Sequence, residues 1–208
     1  MKARRSDEEN RALIIFAKEP RLGKVKTRLA AGLSRVRVLE LYKFFVKDVI
    51  RVASSVSCQG RFLYYTGCSS GRMEFLRGFT PAFFLRRQYG ANLGRRMQNA
   101  FAYSHRQEFT KIIIIGTDCL SLNREDILFA FEKLNHFSCV LGPSKDGGYY
   151  LIGLRCPQKD LFEAIPWSTG SVLQVTLQKA KCLGLKFFLL PEKEDIDTLD
   201  SLKRFYRN

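Results

Sequence analysis

Residues 13–29 read LIIFAKEPRLGKVKTRL, and this stretch decides the prediction of the fold. The apolar run from Leu13 to Ala17 is typical of a strand that is buried on both faces of a parallel sheet. It leads into a turn-rich loop that contains five Lys or Arg residues. Because ligands of open α/β sheets bind beyond the carboxyl ends of the strands, we expect this loop to contact a phosphate-bearing substrate.

Several residues of the basic loop are suited to contact a phosphate group. We predict that Lys18, Lys26 and Arg28 reach phosphate oxygens, since an Arg side chain can bridge two of them through its planar fork. Gly23 allows the backbone to pass close to a ligand, and we place Pro20 with it in the substrate-binding segment. The alternative is an ordinary solvated basic loop, which is what most charge runs are.

The composition favours a single domain with an anionic partner. The chain has 208 residues, of which 46% are hydrophobic, so it can bury one substantial core. Residues 1–10 are charged and lack periodicity, and we expect them to form a disordered tail before one domain over residues 11–208. The net charge of +15 favours nucleotides, phosphosugars, nucleic acid or an anionic membrane face as partners.

Other features narrow the possible classes of function. The six cysteines are scattered without a C-x-x-C pair, and the two histidines lie in no motif, which argues against a zinc site or a His-centred triad. No apolar run reaches the roughly 18 residues of a membrane span. With no apolar N-terminal signal segment, we expect a cytoplasmic protein with reduced thiols.

The pattern along the chain predicts alternating strands and helices. Strands are predicted over residues 13–17, 61–66, 82–88, 111–115, 137–141, 149–154 and 186–190; helices over 38–50, 93–104, 124–134, 172–180 and 199–205; and a short helical or irregular piece around 73–76. Such alternation predicts an α/β fold, in which a mostly parallel central sheet lies between two layers of helices.

Two acidic residues are candidates for a metal site. Asp118 directly follows the strongly β-forming run of residues 111–115, and Asp197 lies near the end of the chain. If both reach the sheet edge beside Lys26 and Arg28, they form a compact site for Mg²⁺, or Mn²⁺, which takes one or two carboxylates plus phosphate oxygens. The alternative is that Asp118 is a turn residue and Asp197 a helix cap.

Two loops are further candidates for substrate contacts. In one, Asp146, Gly147 and Gly148 precede Tyr149, which could offer a ring face or hydroxyl to a sugar or base. The other runs from Gln88 to Met97, where backbone amides near Gly94 open a helix and could meet anionic oxygens. Neither loop is a Walker A or G-x-G-x-x-G motif. We expect Tyr150 and Cys119, in contrast, to pack in the core.

Five blocks in order resemble the DUF2064 family of glycosyltransferase-A-like proteins. They are FAKEPRLGKVKTRL, GTDCLSL, GPSKDGGYYLIGL, IPWST and DIDTLDSL. The family belongs with the nucleotide-diphospho-sugar transferases. The resemblance implies a Rossmann-like fold, phosphate contacts from Lys26 and Arg28, and metal contacts from Asp118 and Asp197. The loop that usually reads GDLGERM differs here, because Asn92 and Arg95 replace its two acidic residues.

These observations favour a Mg²⁺-dependent transferase that acts on a nucleotide and a small-molecule acceptor. The leading hypothesis is nucleotidyl transfer from a nucleoside triphosphate to a phosphorylated acceptor, with Lys26, Arg28 and Asp118 as catalytic residues. A glycosyltransferase that uses a nucleotide-diphospho-sugar is the alternative. A non-catalytic binder of anions or nucleic acid is a further one, although the charge is not interleaved with exposed aromatic residues as nucleic-acid binding would favour.

Overall fold

A twisted sheet lies at the centre of the protein. The computed structural model describes residues 7–67 and 83–207, and within them seven strands and five α-helices are present. The strands are β1 (Arg11–Ala17), β2 (Gly60–Tyr65), β3 (Phe84–Arg87), β4 (Lys111–Ile115), β5 (Cys139–Pro143), β6 (Tyr149–Leu154) and β7 (Phe187–Leu189). The helices are α1 (Arg35–Ser54), α2 (Leu93–Arg106), α3 (Arg124–Lys133), α4 (Val172–Cys182) and α5 (Leu199–Arg207). The predicted piece around residues 73–76 lies outside the described residues.

The strand order is β3-β2-β1-β4-β6-β5-β7. Neighbouring strands are parallel except at β6, which runs antiparallel to both β4 and β5. The short connection of residues 144–148 explains this exception, since a parallel crossover needs a dozen or more residues. The prediction of a mostly parallel sheet is confirmed.

Helices cover both faces of the sheet. Alternate residues of β1 point to opposite faces, so that Leu13 and Ile15 join one core cluster while Ala12 and Ile14 join the other. Helices α1 and α3 pack on the first face, and α2 and α4 pack on the second. The predicted three-layer arrangement is therefore confirmed. No helix within residues 7–67 and 83–207 has the length and apolar character needed to cross a bilayer.

Several predicted boundaries differ from the structure by a few residues, and two of them have a clear physical cause. The expected tail does not extend through residues 7–10: residues 8–10 form a 3-10 helix, and the Asp7 carboxylate pairs with Arg11 and Lys111. These cations at the start of β1 and β4 hold the segment against the sheet. Strand β5 begins at Cys139 rather than at 137, because the Phe137 N–H still donates to the Lys133 carbonyl oxygen at 2.9 Å and closes the turn after α3.

Candidate functional site

The loop after β1 carries Lys26 to the carboxyl edge of the sheet. Lys26 has a left-handed backbone with φ 47°, which is uncommon for a residue other than glycine, and a 3-10 helix from Thr27 to Ala31 follows it. Val25 and Leu29 are buried and anchor this loop in the core. The Lys26 side chain is only 4% exposed, so its ammonium group is held within the protein rather than in bulk solvent.

Two carboxylates from distant parts of the chain meet at the Lys26 ammonium group. The Lys26 Nζ lies 2.8 Å from Asp118 Oδ1 and 2.6 Å from Asp197 Oδ1, and it donates to the Ile196 carbonyl oxygen at 2.8 Å. The Ile196 N–H donates in turn to the Asp118 carbonyl oxygen at 2.8 Å. The late segment is thus joined to the loop after β4, and Lys26, Asp118 and Asp197 lie together.

The start of α5 fixes the position of Asp197. The N–H groups of Asp197 and Thr198 donate to Ser201 Oγ at 3.1 and 3.0 Å, and the Ser201 N–H donates back to Thr198 Oγ1 at 3.2 Å. These bonds satisfy N–H groups that have no partner within the first turn of a helix. Asp197 therefore approaches Lys26 from a capped helix end rather than from a free loop.

The charges of the cluster stabilise one another. Burial acts to lower the pKa of Lys26, but the Asp118 and Asp197 carboxylates outweigh it and raise that pKa above its ordinary value. Lys26 therefore keeps its positive charge at neutral pH.

Tyr42 connects this cluster to the end of β1. Its hydroxyl accepts from the Lys18 N–H at 2.7 Å and donates to the Lys18 carbonyl oxygen at 2.9 Å. Burial, together with the charge of Asp118, raises the pKa of Tyr42, so the side chain stays a neutral phenol. A single hydroxyl from α1 thus satisfies both backbone groups of Lys18, at the point where the basic loop begins.

A third carboxylate, Asp195, belongs to the same region and was not among the predicted ligands. Burial raises its pKa from 3.8 to about 7, and the charges of Asp118 and Asp146 act in the same direction, whereas Lys26 opposes them. Asp195 therefore exchanges its proton near neutral pH. The sequence did contain a signal for it, because residues two apart in an extended segment point to the same side, as Asp195 and Asp197 would.

The pair of carboxylates suits a hard divalent cation. Asp118 and Asp197 have side chains that are 39% and 35% exposed, which leaves room for water or substrate oxygens. Among the residues that the structure describes, no group of three or more His, Cys, Asp or Glu side chains is placed to hold a metal ion. Mg²⁺ or Mn²⁺ would thus rely on two carboxylates plus water and phosphate oxygens, as Mg²⁺ commonly does. Lys26 would compete with the ion for the same oxygen atoms.

The other predicted residues of the basic loop differ in accessibility. Lys18 and Arg28 have exposed side chains, and Gly23 is exposed with φ +70° in the turn of residues 21–24. Pro20, in contrast, is buried, so its role is packing rather than direct contact with a substrate. Lys18, Gly23 and Arg28 remain available to a ligand.

Gln88 and Gly94 have structural roles that the sequence did not indicate. The Gln88 side-chain amide donates to the carbonyl oxygens of Ala17 and Tyr64, both at 3.1 Å, and so ties together the ends of three neighbouring strands. Gly94 is buried, and a Cβ at this position would lie 2.5 Å from the Trp167 ring. Only glycine leaves room for the indole at this position, and the predicted contact of backbone amides near Gly94 with anionic oxygens stays a prediction.

The loop between β5 and β6 exposes Lys145 and Asp146 to solvent, whereas Gly147 packs against protein. Gly147 has φ +84°, and a Cβ there would lie 2.0 Å from the Gly170 carbonyl oxygen. The Gly148 N–H donates to Asp146 Oδ1 at 2.9 Å. Tyr149 packs on the α2 and α4 side of the sheet with its hydroxyl buried. The prediction that Tyr149 offers its hydroxyl to a ligand is wrong, because the hydroxyl is buried, whereas the alternative contact through its ring face stays a prediction.

Tyr150 and Cys119 do pack in the core, as expected. Both are 3% exposed, and the Tyr150 hydroxyl donates to the Pro191 carbonyl oxygen at 3.0 Å. Burial raises the pKa of the Cys119 thiol to about 11. Since a thiol is nucleophilic only when it is deprotonated, Cys119 is not suited to act as a nucleophile beside Asp118.

The sheet and this site together define a glycosyltransferase-A-like α/β protein of the transferase class. A proposed nucleotide-diphospho-sugar transferase from Desulfovibrio desulfuricans G20 has the same fold, with a TM-score of 0.89 and 30% sequence identity over 96% of this chain and 87% of that chain. The family model DUF2064, described as an uncharacterized protein conserved in bacteria, matches residues 49–169. The chain belongs to the DUF2064 family, as its sequence blocks predicted.

More distant structures share the fold alone. The inositol-1-phosphate CTP transferase from T. maritima has a TM-score of 0.56 and 16% identity, with 96% of this chain and 94% of that chain covered. A CMP:2-keto-3-deoxy-manno-octonic acid synthetase complexed with CTP has a TM-score of 0.58 and 10% identity, with 96% and 98% covered. No curated protein gives a significant match in sequence.

Proposed function

We propose that the protein is a Mg²⁺-dependent nucleotidyltransferase. An oxygen of a phosphorylated acceptor would attack the α-phosphorus of a nucleoside triphosphate. The bond from the α-phosphorus to the bridging oxygen would break, and pyrophosphate would leave with the electron pair. The observation that carries this proposal is the cluster of Lys26, Asp118 and Asp197 at the carboxyl edge of the sheet. Fold relatives named as a CTP transferase and a CMP-linked synthetase support the choice of reaction.

Each residue of the cluster has a role that phosphoryl chemistry requires. Asp118 and Asp197 would hold the metal ion, which neutralises phosphate charge when it is bound. Lys26 is charged and buried between the two carboxylates. Its ammonium group would exchange its contacts with them for a contact with a phosphate oxygen. Arg28 is exposed two residues further on and can reach a second oxygen. Positioning and charge neutralisation of this kind lower the barrier without a protein nucleophile.

The test is release of pyrophosphate from each nucleoside triphosphate, with Mg²⁺ and a panel of sugar and alditol phosphates as acceptors. Asp118→Asn should lower the rate by roughly a hundredfold, because the loss of one such electrostatic contact costs about 3 kcal/mol in the barrier. Asp160→Asn is the matched control, since Asp160 is exposed on the 3-10 helix before α4. Equal activity of Asp118→Asn and the parent would exclude the proposed site.

The name of the Desulfovibrio relative favours a second candidate, transfer of a sugar from a nucleotide-diphospho-sugar. In that reaction the sugar C1 bond to the diphosphate breaks, and a nucleoside diphosphate leaves. The two candidates therefore give different products. Release of a nucleoside diphosphate from a sugar nucleotide, without release of pyrophosphate from any triphosphate, would favour glycosyl transfer.

A further inference from the structure

A pocket separate from the Lys26 cluster lies where β2 and β3 end and α2 begins. Its volume is about 610 Å³, which is within the range of sites for small molecules. Arg87, Arg95 and Arg96 line it, and we therefore call it the arginine pocket. It opens on the same carboxyl edge of the sheet as Asp118, which follows β4.

Neutral groups accept hydrogen bonds from Arg95 and Arg96 in the arginine pocket. Arg95 Nη1 donates to Gln98 Oε1 at 2.6 Å, and Arg96 Nε donates to the Gly90 carbonyl oxygen at 3.0 Å. No Asp or Glu is among the described residues that line the pocket. Glu19 is only 4% exposed, and a Cβ at Gly67 would lie 2.0 Å from its carboxylate, so this acidic group lies next to the pocket wall.

The wall of the pocket is held in place by hydrogen bonds. The side chain of Asn99 donates to the Tyr89 carbonyl oxygen at 2.8 Å, and Arg96 ties Gly90 to α2. Gln88 is fixed by its two bonds to neighbouring strands. The Tyr89 side chain itself is 81% exposed beside the pocket and offers an aromatic face. A ligand would thus meet fixed guanidinium groups and an exposed ring.

We propose that the arginine pocket binds a phosphate group of a substrate, apart from the phosphate that reacts at Lys26. Guanidinium groups fit phosphate oxygens through paired N–H donors, and a phosphate monoester carries nearly two negative charges at pH 7. Arg95 and Arg96 together carry two positive charges, which match a phosphate dianion better than they match a ligand with one carboxylate. The inference deepens the proposed function and rests on it only for the claim that the bound molecule is a substrate.

Calorimetric titration without metal ions tests the pocket directly. The probes are inorganic phosphate, glucose 1-phosphate, nucleoside 5′-monophosphates and the corresponding uncharged nucleosides. We expect the phosphate probes to bind the parent and the double variant Arg95→Gln/Arg96→Gln to bind them about ten- to a hundredfold more weakly, as the loss of charge-assisted hydrogen bonds predicts. Arg106→Gln is the control, since Arg106 is exposed on the same helix and does not line the pocket.

The same titrations show which substrate, the acceptor or the nucleotide, supplies the phosphate group that binds in the arginine pocket. Selective loss of glucose 1-phosphate binding in the double variant would assign the pocket to the acceptor, and selective loss of monophosphate binding would assign it to the nucleotide. Arg95→Gln alone should weaken binding at least threefold without disturbing the fold, because Arg95 is exposed. This single variant separates the loss of a phosphate contact from a structural change in the loop that Arg96 supports.

Failure of this inference can be distinguished from failure of the proposed function. Asp118→Asn should keep the affinity for the phosphate probes even where it abolishes turnover, because Asp118 does not line the arginine pocket. Equal affinities in the parent and both arginine variants would overturn the inference. So would the absence of binding to the parent, or loss of binding in Asp118→Asn.

Discussion

Replacement of Lys26 by Met should strengthen metal binding while it weakens catalysis. The ammonium group contacts the same Asp118 and Asp197 oxygens, at 2.8 and 2.6 Å, that a divalent ion would need. Two unit charges 4 Å apart interact by about 4 kcal/mol at an effective dielectric constant of 20 and about 1 kcal/mol in water. Since both carboxylates are more than a third exposed, we expect a gain of about 1 to 2 kcal/mol in metal binding, or about five- to thirtyfold in Kd.

The assay is calorimetric titration of Mg²⁺ and Mn²⁺ into nucleotide-free protein at pH 7.5, followed by turnover measurements on the same samples. Lys24→Met is the control, since Lys24 is exposed in the same loop and has the same charge. Lys26→Met should lower kcat by about a hundredfold if the ammonium group moves to a phosphate oxygen during the reaction. A metal Kd that is unchanged or weaker in Lys26→Met would refute the competition between Lys26 and the ion.

Further predictions concern stability. Asp195→Asn should stabilise the metal-free protein at pH 8 by no more than about 4 kcal/mol. The pKa of Asp195 is about 7 in the folded protein and 3.8 in the unfolded chain, so the stability of the parent falls as pH rises between these two values. Urea unfolding at pH 8 and pH 4 should show that the gain in stability disappears at the lower pH. Gly94→Ala should destabilise the fold by about 1 to 3 kcal/mol, since its Cβ would meet Trp167, and an unchanged Tm and tryptophan fluorescence would contradict this packing. Tyr42→Phe should cost about 1 to 3 kcal/mol in chemical unfolding, because it removes the bonding partner of both Lys18 backbone groups.

Most of the fold followed from local patterns in the sequence. The four consecutive Ile residues of β4 are typical of a strand that is buried on both faces, and the three- and four-residue spacing in α1 is typical of an amphipathic helix. At the start of α3, the side chains of Asn123 and Asp126 form reciprocal backbone bonds, and such a capping pair is a sequence signal for a helix start. The orientation of β6 was harder to predict, because a short apolar strand has the same pattern in a parallel or an antiparallel pair.

The site was predicted less completely than the fold. The rule that strand ends share one edge of the sheet predicted the place of Asp118 beside the basic loop. Asp197 does not directly follow a strand, so its approach to Lys26 was only a condition of the predicted metal site. That rule does not state which oxygen atom each side chain contacts, so the position of the Lys26 ammonium group between the carboxylates required coordinates. The sequence predicts ligand contacts at Gly94 and Gly147, and the structure shows that Trp167 and Gly170 pack against these two glycines. A glycine allows either a ligand or another part of the protein to come close, and the sequence alone does not show which of the two is present.

The bond between Lys26 and Asp197 joins residues that are 171 positions apart. Closing so long a loop is entropically costly until the intervening strands have paired, so this contact belongs among the last to form during folding. Refolding from denaturant should accordingly restore the circular-dichroism signal of helices and strands before it restores turnover. Turnover would therefore depend on docking of the segment that contains Asp197 as well as on formation of the sheet.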